Sequence, residues 1–226
     1  MARALFLTSG GHAKLGSSRV ILEDVLSRQA GLDLNVRDDH IELTPGRLRD
    51  YDLIVDYSGH APKEPNDDQL NALMAAVEGG TPYIGLHVAS LPFKSQLDYR
   101  KRHGAWPESP QPDDLLNPTQ IRYFEMIGSA FITHGPIEIY TVNVLDADHP
   151  ITRGVESFDV IDELYQLGGN RSRRHVLAEA RGNALLYTQM WGKGKVHYNS
   201  LAHDGRTLGH PGYQRLLRQA VDWALG

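Results

Sequence analysis

The chain has 226 residues, no cysteine, and a formal net charge of −5 from 28 acidic and 23 basic residues. The lack of cysteine excludes disulfides, thiolate-based zinc sites and a cysteine nucleophile, and the mild acidity argues against a nucleic-acid partner. With 41% hydrophobic residues, a chain of this length is typical of one large α/β domain, here 1–226.

The N-terminal apolar segment ends at Leu7, which makes it too short for the apolar region of a signal peptide. No run of the sequence approaches the roughly 18 apolar residues of a membrane-spanning helix, so no membrane partner is predicted. These two features predict a cytoplasmic protein, and they leave open whether it forms a homo-oligomer.

Strands and helices alternate in the first 86 residues. Short apolar runs predict buried strands at 4–8, 53–57 and 81–86, and alternating apolar residues predict another strand at 32–36. Helical spacing of apolar residues predicts helices at 17–29 and 66–77, and Asn66 with Gln69 forms a capping-box pattern at the start of the second. This alternation predicts a parallel sheet covered by helices on both faces.

The second half of the chain is less regular. Residues 98–118 contain four prolines and predict a long irregular loop, and a helix is predicted at 119–127. Further strands are predicted at 137–144, 158–164, 175–180, 185–190 and 196–201, the last two forming a hairpin across the glycine-rich turn at 192–195. An amphipathic helix is predicted to begin at Pro211.

Polar residues follow several of the predicted strands. In open α/β sheets, ligands bind at the carboxyl ends of the strands, where such residues meet. The candidates at these positions are Gly10, Gly11, His12, His60, His87, His203 and Asp204. Four strand ends therefore carry a histidine within a few residues.

The strand end at His87 has a distinctive local sequence. Small residues stand two positions before and two positions after it, at Gly85 and Ala89. This pattern permits a sharp strand-to-helix turn that lifts the central side chain clear of the sheet, a position that usually presents serine or cysteine. The alternative is an imidazole that packs beneath the proline-rich loop.

Three further residues complete the candidate set. His134 lies before Gly135-Pro136 and is predicted to be an acid, a base, a metal ligand or a surface loop residue. Asp162 and Glu163 are adjacent, so on a strand their side chains point to opposite faces and only one of them enters the site easily.

Six segments resemble those of ThuA-like (trehalose utilisation) proteins, and they occur in the same order. The segments are 79–87, 124–134, 149–154, 162–165, 192–196 and 201–204. Two positions depart from the pattern: Lys195 stands where the family usually has arginine, and Ala202 where it usually has glycine.

The resemblance implies a class I glutamine-amidotransferase-like fold. This is an α/β, flavodoxin-like three-layer sandwich with a mostly parallel sheet, here with an added β-hairpin region. His87 replaces the elbow cysteine, so the chain is not expected to be a glutaminase. The resemblance also implies a role in the utilisation of disaccharides or 3-keto-glycosides, with a small-molecule carbohydrate as the partner.

Three functions remain open from these residues. The first is acid/base chemistry on a keto-sugar, because a carbonyl acidifies the neighbouring C–H bonds and histidine is a base near neutral pH. The predicted catalytic residues are His87, His134, His203 and Glu163. The predicted substrate-binding residues are Gly10, Gly11, His12, His60, Asp162 and Asp204.

The second function is that of a metal-dependent hydrolase, in which His87, His134 and His203 hold a divalent ion such as zinc. The third is that of a non-catalytic sugar-binding or regulatory protein, because a fold does not by itself assign an activity.

Overall fold

The computed structural model describes residues 1–8, 13–59, 63–104 and 106–226, with only the backbone for 13–16. Nine strands are present: β1 (Ala2–Leu7), β2 (Leu32–Arg37), β3 (Leu53–Asp56), β4 (Tyr83–Leu86), β5 (Ala130–Val144), β6 (Phe158–Gly168), β7 (His175–Ala180), β8 (Asn183–Trp191) and β9 (Gly194–Asn199). The α-helices are α1 (Ala13–Ser27), α2 (Pro45–Leu48), α3 (Asp67–Gly79), α4 (Gln96–His103), α5 (Pro118–Ile127), α6 (Gly205–Leu208) and α7 (Pro211–Leu225).

The strands form one sheet in the order β2-β1-β3-β4-β9-β8-β7-β5-β6. The first five strands of that order pair in parallel. The remaining pairs, from β9-β8 to β5-β6, are antiparallel. The sheet is therefore mixed, and the predicted mostly parallel, flavodoxin-like sandwich of the glutamine-amidotransferase-like type is wrong, although the chain is α/β.

The connections between strands explain this difference. A parallel pair needs a crossover of a dozen or more residues, usually a helix, whereas two residues suffice for a hairpin. Only Arg181-Gly182 joins β7 to β8, and only Gly192-Lys193 joins β8 to β9. Both connections force antiparallel pairing. The hairpin predicted at 185–201 is therefore only β8 and β9, two of the five strands that antiparallel pairs join.

Two apolar layers cover the parallel half of the sheet. Successive residues of β1 point to opposite faces, so Phe6 packs in one cluster and Leu5 in the other. Helices α1 and α7 cover the Phe6 face, and α3 and α5 cover the Leu5 face. This double coverage explains the apolar runs predicted at 4–8, 53–57 and 81–86.

The proline-rich segment is not wholly irregular. Helix α4 occupies its first residues and ends at Gly104, which has a φ of 70°. Further on, Trp106 and Leu116 are buried in the Leu5-side cluster. The segment is therefore packed against the α3–α5 layer. None of the helices within the described ranges is long and apolar enough to cross a membrane.

Candidate functional site

The chain turns sharply where β4 ends. A single 3-10 helical turn, His87–Ser90, follows the strand directly. His87 has a φ of 41°, a conformation that residues other than glycine rarely adopt. The loop after β3 approaches the same turn, because a Cβ built on Gly59 would lie 2.0 Å from the Val88 carbonyl oxygen. The strand-to-helix turn predicted at this position is present.

Hydrogen bonds hold both nitrogens of the His87 imidazole. Nδ1 lies 2.7 Å from the Ser200 carbonyl oxygen, which only accepts, so Nδ1 carries a proton. Nε2 lies 2.9 Å from the hydroxyl of Tyr165. Burial raises the pKa of Tyr165, so its hydroxyl stays protonated and can donate to Nε2. The ring is 0% exposed, yet its surroundings are polar.

Glu163 brings the three predicted catalytic histidines together. Its Oε2 atom lies 3.2 Å from Nδ1 of His203, 3.6 Å from Nε2 of His134 and 3.7 Å from Nε2 of His87. The side chain of Glu163 is 11% exposed, so this carboxylate meets the imidazoles with little water around it. We call these four residues and Tyr165 the histidine cluster.

Both halves of the sheet contribute to the histidine cluster. His87 and His203 follow the parallel strands β4 and β9, whereas His134 and Glu163 lie on the antiparallel pair β5-β6. In the register of that pair, His134 lies opposite Tyr165. The register shifts between His134 and Ile137, and such an irregularity re-aims side chains next to it.

The side chains of Asp162 and Glu163 contact different groups, as expected for adjacent residues of a strand, whose side chains point to opposite faces. Its carboxylate accepts hydrogen bonds from the backbone nitrogens of Glu163, Ala202 and His203 at 2.9–3.1 Å. Burial raises the pKa of Asp162 to about 7, against the opposing effect of these backbone donors. Asp162 therefore fixes the backbone from which the His203 imidazole extends.

Ala202 shows why glycine is usual at its position. Its φ is 108°, which disfavours any residue with a Cβ. The bond from its nitrogen to Asp162 and the bond from Tyr57 hydroxyl to its carbonyl oxygen, 2.9 Å long, hold this conformation in place.

The remaining predicted binding residues fall into two groups. Asp204 caps α6, where it accepts from the backbone nitrogen of Arg206 and pairs with the Arg206 guanidinium at 2.7 Å. These bonds lower the pKa of Asp204. The other predicted residues, Gly10, Gly11, His12 and His60, lie outside the described residues.

Three members of the histidine cluster could hold a metal ion. His87, Glu163 and His203 each offer one ligand atom, and these atoms all lie within 4.8 Å of one another. Two imidazoles and a carboxylate form a donor set that suits zinc. His87 and His203 were among the predicted ligands, and a carboxylate was expected beside them; the third predicted ligand, His134, is not part of this set, and Glu163 supplies the carboxylate.

Two tyrosines near His87 were not predicted as site residues. Tyr165 is two positions from Glu163 on one strand, so the period of 2 that separates Asp162 from Glu163 also places Tyr165 beside Glu163. Tyr198 lies with its hydroxyl 2.7 Å from both the His87 carbonyl oxygen and Ser90 Oγ. No sequence pattern predicts that contact, because it joins β9 to the turn after β4, which are far apart in the sequence.

The fold and the site thus define an α/β protein with a mixed sheet and a carboxylate surrounded by imidazoles. Residues 3–224 match the model of the ThuA family, which is described as trehalose utilisation. Because this match spans nearly the whole sequence, the chain belongs to the ThuA family, and the resemblance seen in the six segments is confirmed. No curated protein matches the chain significantly.

Solved structures share the fold at low sequence identity. A ThuA-like protein from Parabacteroides merdae is 17% identical with a TM-score of 0.74, covering 99% of this chain and 90% of that one. A ThuA-like protein from Bacteroides uniformis is 17% identical with a TM-score of 0.70, at 99% and 91% coverage. A cytoplasmic protein from Salmonella typhimurium LT2 is 15% identical with a TM-score of 0.62, at 98% and 96% coverage.

Proposed function

We propose that the chain is a carbohydrate-utilisation enzyme that performs acid/base chemistry on a keto-sugar in the histidine cluster. The observation that carries this proposal is the position of Glu163, whose Oε2 lies within 3.7 Å of imidazole nitrogens from three separate segments. The family description, trehalose utilisation, supports a sugar as the substrate. We also propose that residues 1–226 form one domain. We further propose a cytoplasmic location, which the name of the similar Salmonella typhimurium protein, a cytoplasmic protein, supports.

The geometry suits removal of a proton next to a carbonyl group. His203 Nδ1 lies 3.2 Å from Glu163, so it carries the proton of that contact and leaves Nε2 to act as the base. A carboxylate in this position orients the imidazole and stabilises its protonated form. When the C–H bond breaks, the proton passes to His203 Nε2, the electron pair of that bond forms the C=C bond of an enediolate, and the former carbonyl oxygen carries the negative charge.

The His87–Tyr165 pair is assigned to that oxygen. The Tyr165 hydroxyl is protonated and lies 2.9 Å from His87 Nε2, and on substrate binding its O–H turns from the imidazole to the oxygen that gains negative charge. His134 is the most exposed imidazole of the cluster, with 38% of its side chain accessible, and it faces incoming substrate. Return of the proton to a different carbon gives isomerisation, and loss of a neighbouring substituent gives eliminative cleavage.

Hydrogen–deuterium exchange tests this chemistry directly. A 3-keto-disaccharide is incubated with the protein in heavy water, and exchange at the carbons beside the carbonyl is followed by NMR. Glu163→Gln and His87→Gln should each slow the exchange by about 100-fold or more, because the first removes the carboxylate that stabilises protonated His203 and the second removes the imidazole that positions the Tyr165 hydroxyl. Glu138→Gln is the matched control, since Glu138 also lies on the β5-β6 pair but its partly exposed carboxylate pairs with Arg181.

Unchanged exchange in both cluster variants would contradict the proposal. Saturable binding of the sugar without any exchange in the parent protein would instead support the non-catalytic, sugar-binding function. Circular dichroism of each variant establishes that it is folded before its rate is interpreted.

One observation favours a second candidate function, a metal-dependent hydrolase. The ligand atoms of His87, Glu163 and His203 lie within 4.8 Å of one another, and three protein ligands leave a coordination position for water or substrate. A bound divalent ion would supply a polarised water or carbonyl group. The hydrogen bond from His87 Nδ1 to Ser200 would then orient the imidazole that binds it.

Elemental analysis of protein purified without a histidine tag distinguishes the two functions. The metal-dependent function predicts about one zinc or similar ion per chain, lost in Glu163→Gln and in His203→Gln, and a lower melting temperature after chelation. A metal content near zero, with exchange chemistry intact, removes this candidate.

A further inference from the structure

Three isoleucines continue the face of the β5-β6 pair that carries Glu163. In the antiparallel register, Ile137 lies opposite Glu163, and Ile139 lies opposite Ile161. Opposite residues have Cβ atoms about 5 Å apart on the same face of the sheet, and residues two positions apart on one strand share a face. The three isoleucines therefore lie on one face with Glu163, and we call them the isoleucine strip.

The isoleucine strip points away from the core. Tyr140 and Val160, the neighbours of Ile139 and Ile161, point to the opposite face and are buried in the Phe6-side cluster. Ile139 is 64% exposed, and the other two isoleucines are half-buried. A single exposed apolar side chain is ordinary, but several adjacent ones beside converging polar groups are typical of a binding surface.

The histidine cluster is most open on the side of this strip. His134, which precedes the strip on β5, has 38% of its side chain exposed, whereas Glu163 and His203 each have 11% and His87 has none. Exposure within the cluster therefore rises towards β5. A ring held among the imidazoles would extend its substituent in this direction, along the isoleucine strip.

A polar pair ends the strip. Thr141 follows Ile139 on the same face, opposite Asp159, and its hydroxyl donates to the Asp159 carboxylate at 2.6 Å. A strand rises about 3.4 Å per residue, so Ile139 lies roughly 7 Å beyond the level of Glu163. The Thr141–Asp159 pair lies roughly 14 Å beyond that level. The apolar surface between the cluster and this pair is therefore long enough for about one six-membered ring.

We propose that the isoleucine strip binds an apolar substituent, such as an aromatic ring, on the sugar that the histidine cluster holds. The inference rests on the proposed function in one respect, that the sugar ring lies in the histidine cluster. The substrate class is then glycosides of aromatic or other apolar alcohols. A second sugar ring fits less well, because isoleucine side chains offer its hydroxyl groups no hydrogen-bond partner.

The affinities of unreactive glucosides test this inference. Phenyl and methyl D-glucopyranosides, each as the α and the β anomer, are titrated into the isotope-labelled full chain and followed by NMR. In at least one anomeric pair the phenyl glucoside should bind about tenfold more tightly, the effect of burying roughly 60 Å² of apolar surface. It should also shift the backbone N–H signals of Ile139 and Ile161.

One substitution in the strip separates the ring from the rest of the sugar. Ile139→Thr keeps a β-branched residue that suits a strand but replaces apolar surface with a hydroxyl group. It should reduce the preference for the phenyl glucoside to about threefold or less and leave the affinity for the methyl glucoside unchanged. Leu145→Thr is the matched control, because Leu145 is 55% exposed just after β5 but lies outside the strip.

Several results would overturn the inference. They are no binding of either phenyl glucoside up to the millimolar range, equal affinities for phenyl and methyl glucosides, an undiminished preference in Ile139→Thr, or tighter binding of the disaccharide trehalose than of both phenyl glucosides. The deuterium-exchange assay decides the proposed chemistry separately. A phenyl preference without any exchange would refute that chemistry and support the strip, and exchange without a phenyl preference would do the reverse.

Discussion

The backbone of His87 lies in a region of φ that costs free energy, and neighbouring groups hold it there. The carbonyl oxygen of His87 lies 2.7 Å from the Tyr198 hydroxyl and accepts from Ser90 Oγ at 3.2 Å. Tyr198 is fully buried, so water cannot replace its hydroxyl group. Tyr198 is therefore a positioning residue: it acts on the imidazole through the turn that carries it.

Replacing this hydroxyl should affect both stability and activity. We expect Tyr198→Phe to lower the free energy of unfolding by about 1–2 kcal/mol, because a buried carbonyl oxygen loses a donor. We also expect slower deuterium exchange in the keto-sugar with little change in sugar affinity. Urea denaturation and the exchange assay measure the two effects.

Tyr213→Phe is the control for that substitution. Tyr213 is equally buried, but its hydroxyl has no hydrogen-bond partner among the described residues. Removing it should leave stability unchanged or increase it slightly. Equal losses of stability in the two variants would show that hydroxyl removal alone, and not the contact with His87, determines the effect.

At the same scale, the sequence predicted which residues meet but not how they are held. His87 and His203 were predicted to lie close together because each follows a strand of the parallel sheet. Glu163 and Asp162 were predicted to point to opposite faces because side chains alternate along a strand. Neither pattern contains the hydrogen bond from the His203 backbone N–H to Asp162 or the one from the Tyr198 hydroxyl to the His87 carbonyl oxygen. Those bonds join segments that only the fold makes neighbours. The first-strand candidates, Gly10 to His12, stay predictions.

At the scale of elements, apolar runs predicted where the strands lie, and the lengths of the connections determined whether neighbouring strands pair in parallel or antiparallel. The early strands were predicted correctly because each connection between them is longer than about a dozen residues, enough for the crossovers of a parallel sheet. In the second half, Arg181 and Gly182 have φ values of 50° and 77°, the conformation of a two-residue hairpin turn. Arg-Gly is a weak signal for such a turn, so the antiparallel half of the sheet was underestimated.

The proline-rich segment illustrates the same limit in a helix. The four prolines at 107–118 argued against regular structure in the segment. Helix α4 precedes these prolines, and its residues, Gln96–His103, include only one strongly apolar side chain, Leu97, so no helical spacing of apolar residues predicts it. The buried Tyr99 anchors this helix by packing against Trp106, with ring centroids 5.1 Å apart. Tertiary contact, rather than helical periodicity, therefore stabilises α4.

At the scale of the whole molecule, a buried imidazole in a central strand links overall stability to pH. His197 lies on β9, between β4 and β8, and is 1% exposed. Burial lowers its pKa to about 4, and the bond from its ring to the Tyr187 carbonyl oxygen offsets only part of that effect. The folded protein therefore holds this ring neutral at a pH where the unfolded chain, with the ordinary pKa of 6.5, binds a proton.

The sign of the resulting pH dependence follows from proton uptake. Because the unfolded chain binds more protons below pH 6.5, stability falls as pH decreases from 6.5 towards 4. Between pH 6.5 and pH 5 this one group should cost about 2 kcal/mol, at about 1.4 kcal/mol per unit. Asp162, whose pKa is raised to about 7, contributes with the opposite sign over this range, so the effect of His197 is the difference between variants. Urea denaturation should show the same change of stability with pH in the parent and in His175→Gln, whose imidazole is exposed. In His197→Asn, which keeps a donor for the Tyr187 carbonyl oxygen but cannot titrate, the free energy of unfolding at pH 5 relative to pH 6.5 should be higher than in the parent by about 2 kcal/mol. An acid slope of equal size in His197→Asn would mean that other groups destabilise the sheet at low pH.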